Sequence, residues 1–345
     1  MRKGIASVAA FAAVAAIAWL LQSSVAGQAN SNPTARSSGT WEAPRTPWGH
    51  PDLQGVWDPT TGTPLERPPQ YKDREFLSDE EATERERTRF AQFDSPDRGP
   101  RNPTGDYGSV WREGSKNALN RTSLIIDPPD GRLPPLTPAA QEQAARRQLQ
   151  QRNRGPADDW TDLPLWTRCI TRGTPRVPNN YNSNLHIVQV PERVTIHYEM
   201  IHETRTVWLD GRPHLSPDIR LWNGDSRGRW EGDTLVVETK NFNEQQEFAG
   251  TSMGTATLIE RFTRIGSDEI DYRFTVDDPV TYTRPVTVIE PMIRNTAPYY
   301  EYACHEFNYG LRNILSGARA EERAGKGSTR RYGDEGAPSE APNRR

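Results

Sequence analysis

Two short stretches of this chain carry side chains suited to moving protons. The first runs His197-Tyr198-Glu199-Met200-Ile201-His202-Glu203, and the second is Cys304-His305-Glu306. An imidazole changes charge near neutral pH and serves as acid or base, with a carboxylate as the complementary group. His202, Glu199, His305 and Glu306 are therefore the candidate catalytic residues. Alternation along a strand puts Tyr198, Met200 and His202 on one face, so His202 points inward if that face lines an interior. By residue type alone, two histidines and a carboxylate are also a metal set. Neither His-Glu pair continues to the second histidine of H-E-x-x-H, and no metal is assigned. A structural hydrogen-bond network is the third alternative.

Other motifs point to other chemistry. Gly224-Asp225-Ser226-Arg227-Gly228 and Gly250-Thr251-Ser252-Met253-Gly254 both match G-x-S-x-G. A nucleophile elbow needs a strand, a sharp turn at the serine and then a helix. Here Trp230, a Glu231-Gly232-Asp233 turn and another apolar alternating run follow, which reads as a hairpin with Asp225 capping a turn. Glu238, Glu260 and Arg261 fall inside apolar alternating runs, where burial of a charge must be compensated. They are read as reaching a ligand or one another across an interior, with cross-strand ion pairs as the alternative. Trp208, Trp222, Trp230 and Tyr309 join Glu238 and Arg261 as candidate ligand-binding residues, against an alternative role in core packing. There is no Walker loop, no G-x-G-x-x-G after a strand, no C-x-x-C and no EF-hand loop, so no cofactor is expected.

The elements that must position these groups follow from hydrophobic period. From about residue 185 the segments LHIVQV, RVTIHYEMI, TRTVWLDG, DTLVVETKNF, TLIERFTRI, EIDYRFTV and RPVTVIEP alternate with period two. Short turn signals join them, which predicts antiparallel neighbours. A long antiparallel meander buries one face and hides its edges by closing into a barrel. Upstream, LQGVW reads as a first strand with Leu53 and Val56 as core, and SLIIDPPDGRLP as a strand entering a turn. Helices are predicted after Ser78, which forms a capping box with Glu81, and after Thr137, with Pro138 at the first helical position. NYGLRNILSGARAEERA reads as a closing helix, and residues 94–118 as a loop.

The chain opens with Met1-Arg2-Lys3, an apolar run from Ile5 to Leu21, and small residues through Ala29. Charge, apolar run and small residues together read as a signal peptide over 1–29, with an uncleaved anchor as the alternative. A flexible leader is expected over 30–47, one domain over 48–324 and a disordered tail over 325–345. Cleavage would take the formal charge from −3 to −5, which argues against a nucleic-acid partner. Export also sets the redox state, so the two cysteines, Cys169 and Cys304, are expected to form a disulfide. With 29 prolines, 10 tryptophans and 11 tyrosines, the mature part reads as a modest core with long irregular connections.

Two long motifs, GDSRGRWEGDTLVVET and YEYACHEFNYG, resemble those of a large family of exported bacterial proteins, and the likeness runs over residues 44–323. Where that family's pattern has Gly in CHEGNYG, this chain has Phe307, so no role is carried over for that glycine. Gly55-Val56-Trp57 ahead of a meander is also similar to the lipocalin-like pattern, which implies a ligand-holding barrel. The expected fold is mainly β: a lipocalin-like antiparallel barrel with two or three peripheral helices. The expected function is a periplasmic or secreted, cofactor-independent enzyme using His/carboxylate acid-base chemistry on a small organic molecule in the barrel. The alternative is a binding protein for an apolar or aromatic ligand. No nucleic acid, and no membrane after cleavage, is expected as a partner.

Overall fold

The computed structural model describes residues 41–94, 119–152, 154–155, 157–177 and 182–325. The expected signal peptide, leader residues 30–40, loop residues 95–118 and tail residues 326–345 lie outside them. The described residues hold strands β1 (Gly55–Asp58), β2 (Ile125–Asp127), β3 (Leu185–Val190), β4 (Arg193–Tyr198), β5 (Thr204–Trp208), β6 (Asp225–Glu231) and β7 (Thr234–Lys240). Strands β8 (Glu247–Phe248), β9 (Thr251–Ser252), β10 (Thr257–Arg264), β11 (Glu269–Asp277), β12 (Val286–Ile289) and β13 (Met292–Arg294) follow. Three α-helices accompany them: α1 (Asp79–Asp94), α2 (Pro138–Arg152) and α3 (Tyr309–Arg323).

The alternating segments form one sheet that closes into a nine-stranded barrel in the order β1-β3-β4-β5-β6-β7-β10-β11-β13 and back to β1. β12 precedes β13 along the same edge of β11 and carries β2 on its outer side. The mainly β, barrel-plus-helices architecture is thus the one expected. One pairing differs: β5 and β6 run parallel, through Val207↔Ser226 and Trp208↔Arg227. The Asp210-Gly211 signal does not close a hairpin. Residues 209–224 form a crossover long enough to bring β6 back in the same direction.

Alternation sorts the side chains as barrel geometry demands. Ile187, Val194, Ile196, Val207, Leu235, Val237, Leu258, Phe262, Phe274 and Val276 are all buried, while Thr195, Thr206 and Arg261 on the same strands are not. Trp57 seals the interior, donating its indole N–H to the Leu53 carbonyl (2.8 Å). Leu53 is core as expected, but Val56 is only half-buried, because the one-residue phase of β1 turns Trp57 inward instead. The inward side chains of the described strands pack into one apolar cluster. Each such large apolar residue contributes roughly 2–3 kcal/mol by leaving water.

One charged pair sits in this core. Arg205 Nη2 donates to Glu260 Oε1 at 2.8 Å and Nη1 to Oε2 at 2.5 Å, with both side chains almost wholly buried. Tyr272 adds its hydroxyl to Glu260 (2.9 Å). Gly228 makes room at the parallel seam: a Cβ there would lie 2.6 Å from Val207 Cγ1 and 2.8 Å from Leu209 Cδ2.

The predicted helix starts hold. Ser78 and Glu81 exchange both capping-box hydrogen bonds, and Thr137 Oγ1 accepts from Ala140 N–H. Residues 41–47, read as the end of a flexible leader, instead lie packed. Ala43 and Thr46 are buried, and Arg45 pairs with Asp233 in the β6–β7 turn (2.6 Å). Cys169 and Cys304 form the expected disulfide.

Candidate functional site

Four of the chain's six histidines gather at one end of the barrel, where β3 begins, β4 ends and β5 begins. β4 stops at Tyr198 rather than running on through Met200. Met200–His202 form a kinked, non-helical turn, with Ile201 at φ 64° and His202 at φ 46°. The alternation that pointed His202 inward ends at Tyr198, so His202 is exposed at the rim instead. The turn is closed by Tyr198 N–H to Glu203 O (2.9 Å) and His202 N–H to Glu199 O (3.1 Å). A β-branched residue in the left-handed region is uncommon and is held only where its surroundings over-determine it. Asn182, Cys169 and Phe307, in the segments facing this turn, also have positive φ.

His202 and His305, a hundred residues apart in sequence, meet here with ring centroids 6.2 Å apart, edge to face. The Tyr302 carbonyl lies 2.7 Å from His202 Nδ1. A carbonyl only accepts, so Nδ1 carries the hydrogen and Nε2 is free to take one up. His305 is held through its neighbour, since the disulfide ties Cys304 to the segment that leads to Thr171 and Arg176.

Below the rim, Glu199 is buried and accepts from Asn182 Nδ2 (3.2 Å) and Asn184 Nδ2 (2.7 Å). Asn295 in turn donates to Asn184 (2.8 Å). Glu203 accepts from Thr171 (2.6 Å), Asn223 (2.8 Å) and the Arg172 backbone N–H (3.1 Å), and pairs with buried Arg176. Arg176 also lies over the Tyr198 ring, 4.0 Å from its centre.

On the outer face of β3 and β4, Tyr299 OH lies 2.8 Å from His197 Nδ1, and its ring packs near both His197 (5.6 Å) and His186 (5.9 Å). Burial, and then the nearby Glu199 charge, push the Tyr299 phenol well above its ordinary pKa. Burial first, and then His186, His202 and Arg176, lower the His197 pKa. The Tyr299 hydroxyl also reaches the His197 carbonyl as a donor (3.3 Å), so a protonated phenol and a neutral imidazole are paired at both the ring and the backbone of His197. His197 thus sits as a neutral imidazole beside a protonated phenol, an arrangement that suits acid-base chemistry.

Glu199, His202 and His305 thus come to one end of the barrel. Glu306 follows His305 on the exposed rim. The six residues read as ligand-binding do not share that end as a group. Trp208 faces outward between Arg193 (5.9 Å) and Arg212 (4.5 Å). Trp230 stacks on His50 (5.2 Å), Arg261 pairs with Glu231 (3.0 Å), and Glu238 pairs with Lys240 (2.7 Å) and His214 (3.1 Å). Trp222 is half-buried beside Asn223, and Tyr309 opens α3 against the Phe307 ring (6.1 Å). Of the three charged strand residues, Glu260 alone reaches across the interior. Ser226 is buried at the start of β6 and bonded to Thr239 (2.9 Å), with the strand continuing after it, so no nucleophile elbow forms. Asp225 does not cap the hairpin turn; it begins β6, accepts from Leu215 N–H and meets His214 Nδ1 (2.9 Å).

Sequence reasoning does not single out Tyr299, His186, Asn182, Asn184, Arg172 or Arg176. No local spacing links them, since they converge only when the barrel closes. Among the described residues, no three His, Cys, Asp or Glu side chains converge in a way that would hold a metal ion. An open groove of about 620 Å3 lies outside the barrel, between α3 and Trp160, lined also by Asn308, Leu311, Arg312 and Arg319. No described helix is long and apolar enough to cross a membrane. No family model, no curated protein and no solved structure matches the chain.

Proposed function

We propose that the protein is an exported, cofactor-independent enzyme that transfers protons to and from a small organic molecule bound over the His202–His305 rim. The observation that carries this reading is the edge-to-face meeting of two exposed histidines, each pinned by its backbone, above a buried hydrogen-bonded carboxylate. His202 acts through Nε2, with its tautomer set by the Tyr302 carbonyl. His305 supplies the complementary proton position. Glu199 and Glu203 hold the turn and fix its electrostatics from below. The disulfide fits an oxidising location.

The test is proton transfer itself. Small carbonyl compounds and acids are incubated with the protein in heavy water, and deuterium uptake at carbon is followed by NMR. Uptake is expected to fall about 100-fold or more in His202→Gln and His305→Gln with circular dichroism unchanged. Uptake equal to wild type in both variants sinks the reading. A second reading, a carrier without catalysis, is favoured by the exposed aromatics beside the pair, Tyr300 (67%) and Phe307 (80%). Saturable binding with no uptake would establish it.

A further inference from the structure

Arg172 is an exposed arginine tied by its backbone to the turn that carries His202. Its backbone is tied to Glu203, one residue from His202 (3.1 Å), and its guanidinium carbon lies 5.1 Å from the centre of the Trp166 ring. Among the described residues, that guanidinium has neither a carboxylate nor a carbonyl partner. The next arginine, Arg176, is buried and satisfied by Glu203 and the Gly173 carbonyl (3.2 Å). Gly173, at φ 93°, sends the chain away from Arg172, and a Cβ there would meet Gln246 Nε2 at 2.5 Å. The Tyr302 side chain lies within electrostatic reach of Arg172, and the Tyr302 carbonyl orients His202. The cation therefore sits at the same rim as the histidine pair, with no internal anion to neutralise it.

Stacking on an indole covers one face of a guanidinium and leaves its in-plane fork of N–H groups free. That fork matches a planar two-oxygen acceptor, which is carboxylate geometry. Tyr300 and Phe307, both more than half exposed on the facing segment, offer apolar area for the rest of such a molecule.

We infer that Arg172 is a substrate-anchoring residue and that the molecule handled by His202 and His305 is an aromatic carboxylate, its carboxylate held two-pronged by the guanidinium. The inference deepens the proton-transfer reading above and rests on it. Its test nevertheless needs no turnover. Benzoate, its neutral analogue benzamide and inorganic phosphate are titrated into the full mature chain, and the His202 and His305 ring signals are followed by NMR. Benzoate is expected to shift both signals saturably, with benzamide and phosphate at least about ten-fold weaker. Arg172→Gln is expected to weaken benzoate about ten- to a hundred-fold, with Arg172→Lys between it and wild type and the melting temperature unchanged.

Equal binding of benzoate and benzamide, tighter binding of phosphate, or an Arg172→Gln affinity equal to wild type would each overturn the inference. So would benzoate binding that leaves both histidine signals unmoved. Benzoate binding that obeys Arg172 in a protein without deuterium uptake would keep the anchor and remove the catalysis. Uptake on aromatic carboxylates unaffected by Arg172→Gln would do the reverse.

Discussion

His197 is the residue at this end whose protonation is most plainly governed by its surroundings. Its partner Tyr299 keeps its proton, and burial, His186, His202 and Arg176 all disfavour a second positive charge. The folded-state pKa therefore lies below the ordinary 6.5, while the unfolded chain titrates near that value. Above pH 6.5 the residue is neutral in both states and costs nothing. As pH falls through 6.5, the unfolded state takes up a proton that the folded state refuses, and stability drops until the folded pKa is passed. Melting temperature measured from pH 8 to pH 5 is expected to fall on the acid side. The fall should be shallower in His197→Asn, which retains polarity but does not titrate. A wild-type and variant pair with superimposable profiles would contradict this account.

At the scale of elements, the buried Arg205–Glu260 pair joins β5 to β10 across the apolar interior. Removing one partner strands the other charge away from water, a loss of about 3–5 kcal/mol. Urea unfolding of Glu260→Leu is expected to show a loss of that size. The double variant Arg205→Met, Glu260→Leu should recover most of it, because no uncompensated charge remains. Equal losses in the single and double variants would mean that shape, not charge, dominates. These strands are also where the sequence is most readable. Leu258, Glu260 and Phe262 share a face because the period of a strand is two, and all three do point inward. Legibility fails where a strand ends. Nothing in HYEMIHETR marks Tyr198 as the last alternating residue, because the break is made by a left-handed Ile201, a conformation this residue type does not advertise. The direction of β6 was equally hidden, since an Asp-Gly turn signal is local and the crossover after it is not. Glu199, His202 and His305 were visible by residue type alone. Tyr299 and Arg172 were not, because they meet His197 and Glu203 across 102 and 31 residues, a proximity that only the folded chain sets.

For the molecule as a whole, β5 and β6 are paired through just two register positions, and the exposed stretch from Gly211 to Arg220 joins them. The disulfide spans this crossover with a sequence separation of 135 residues. In the chain-entropy model a ring of that size favours the folded state by about 4–5 kcal/mol. The same ring has a practical corollary when the protein meets a peptidase. Trypsin cutting after Arg220 opens the ring without dividing the molecule. The nicked product is expected to run as one species on a denaturing gel and to separate into two fragments only after dithiothreitol. Two fragments without reductant would mean the cysteines are not joined. Such a molecule survives a cut in its most accessible stretch as one covalent body, with His202 on one fragment and His305 on the other still tethered within reach.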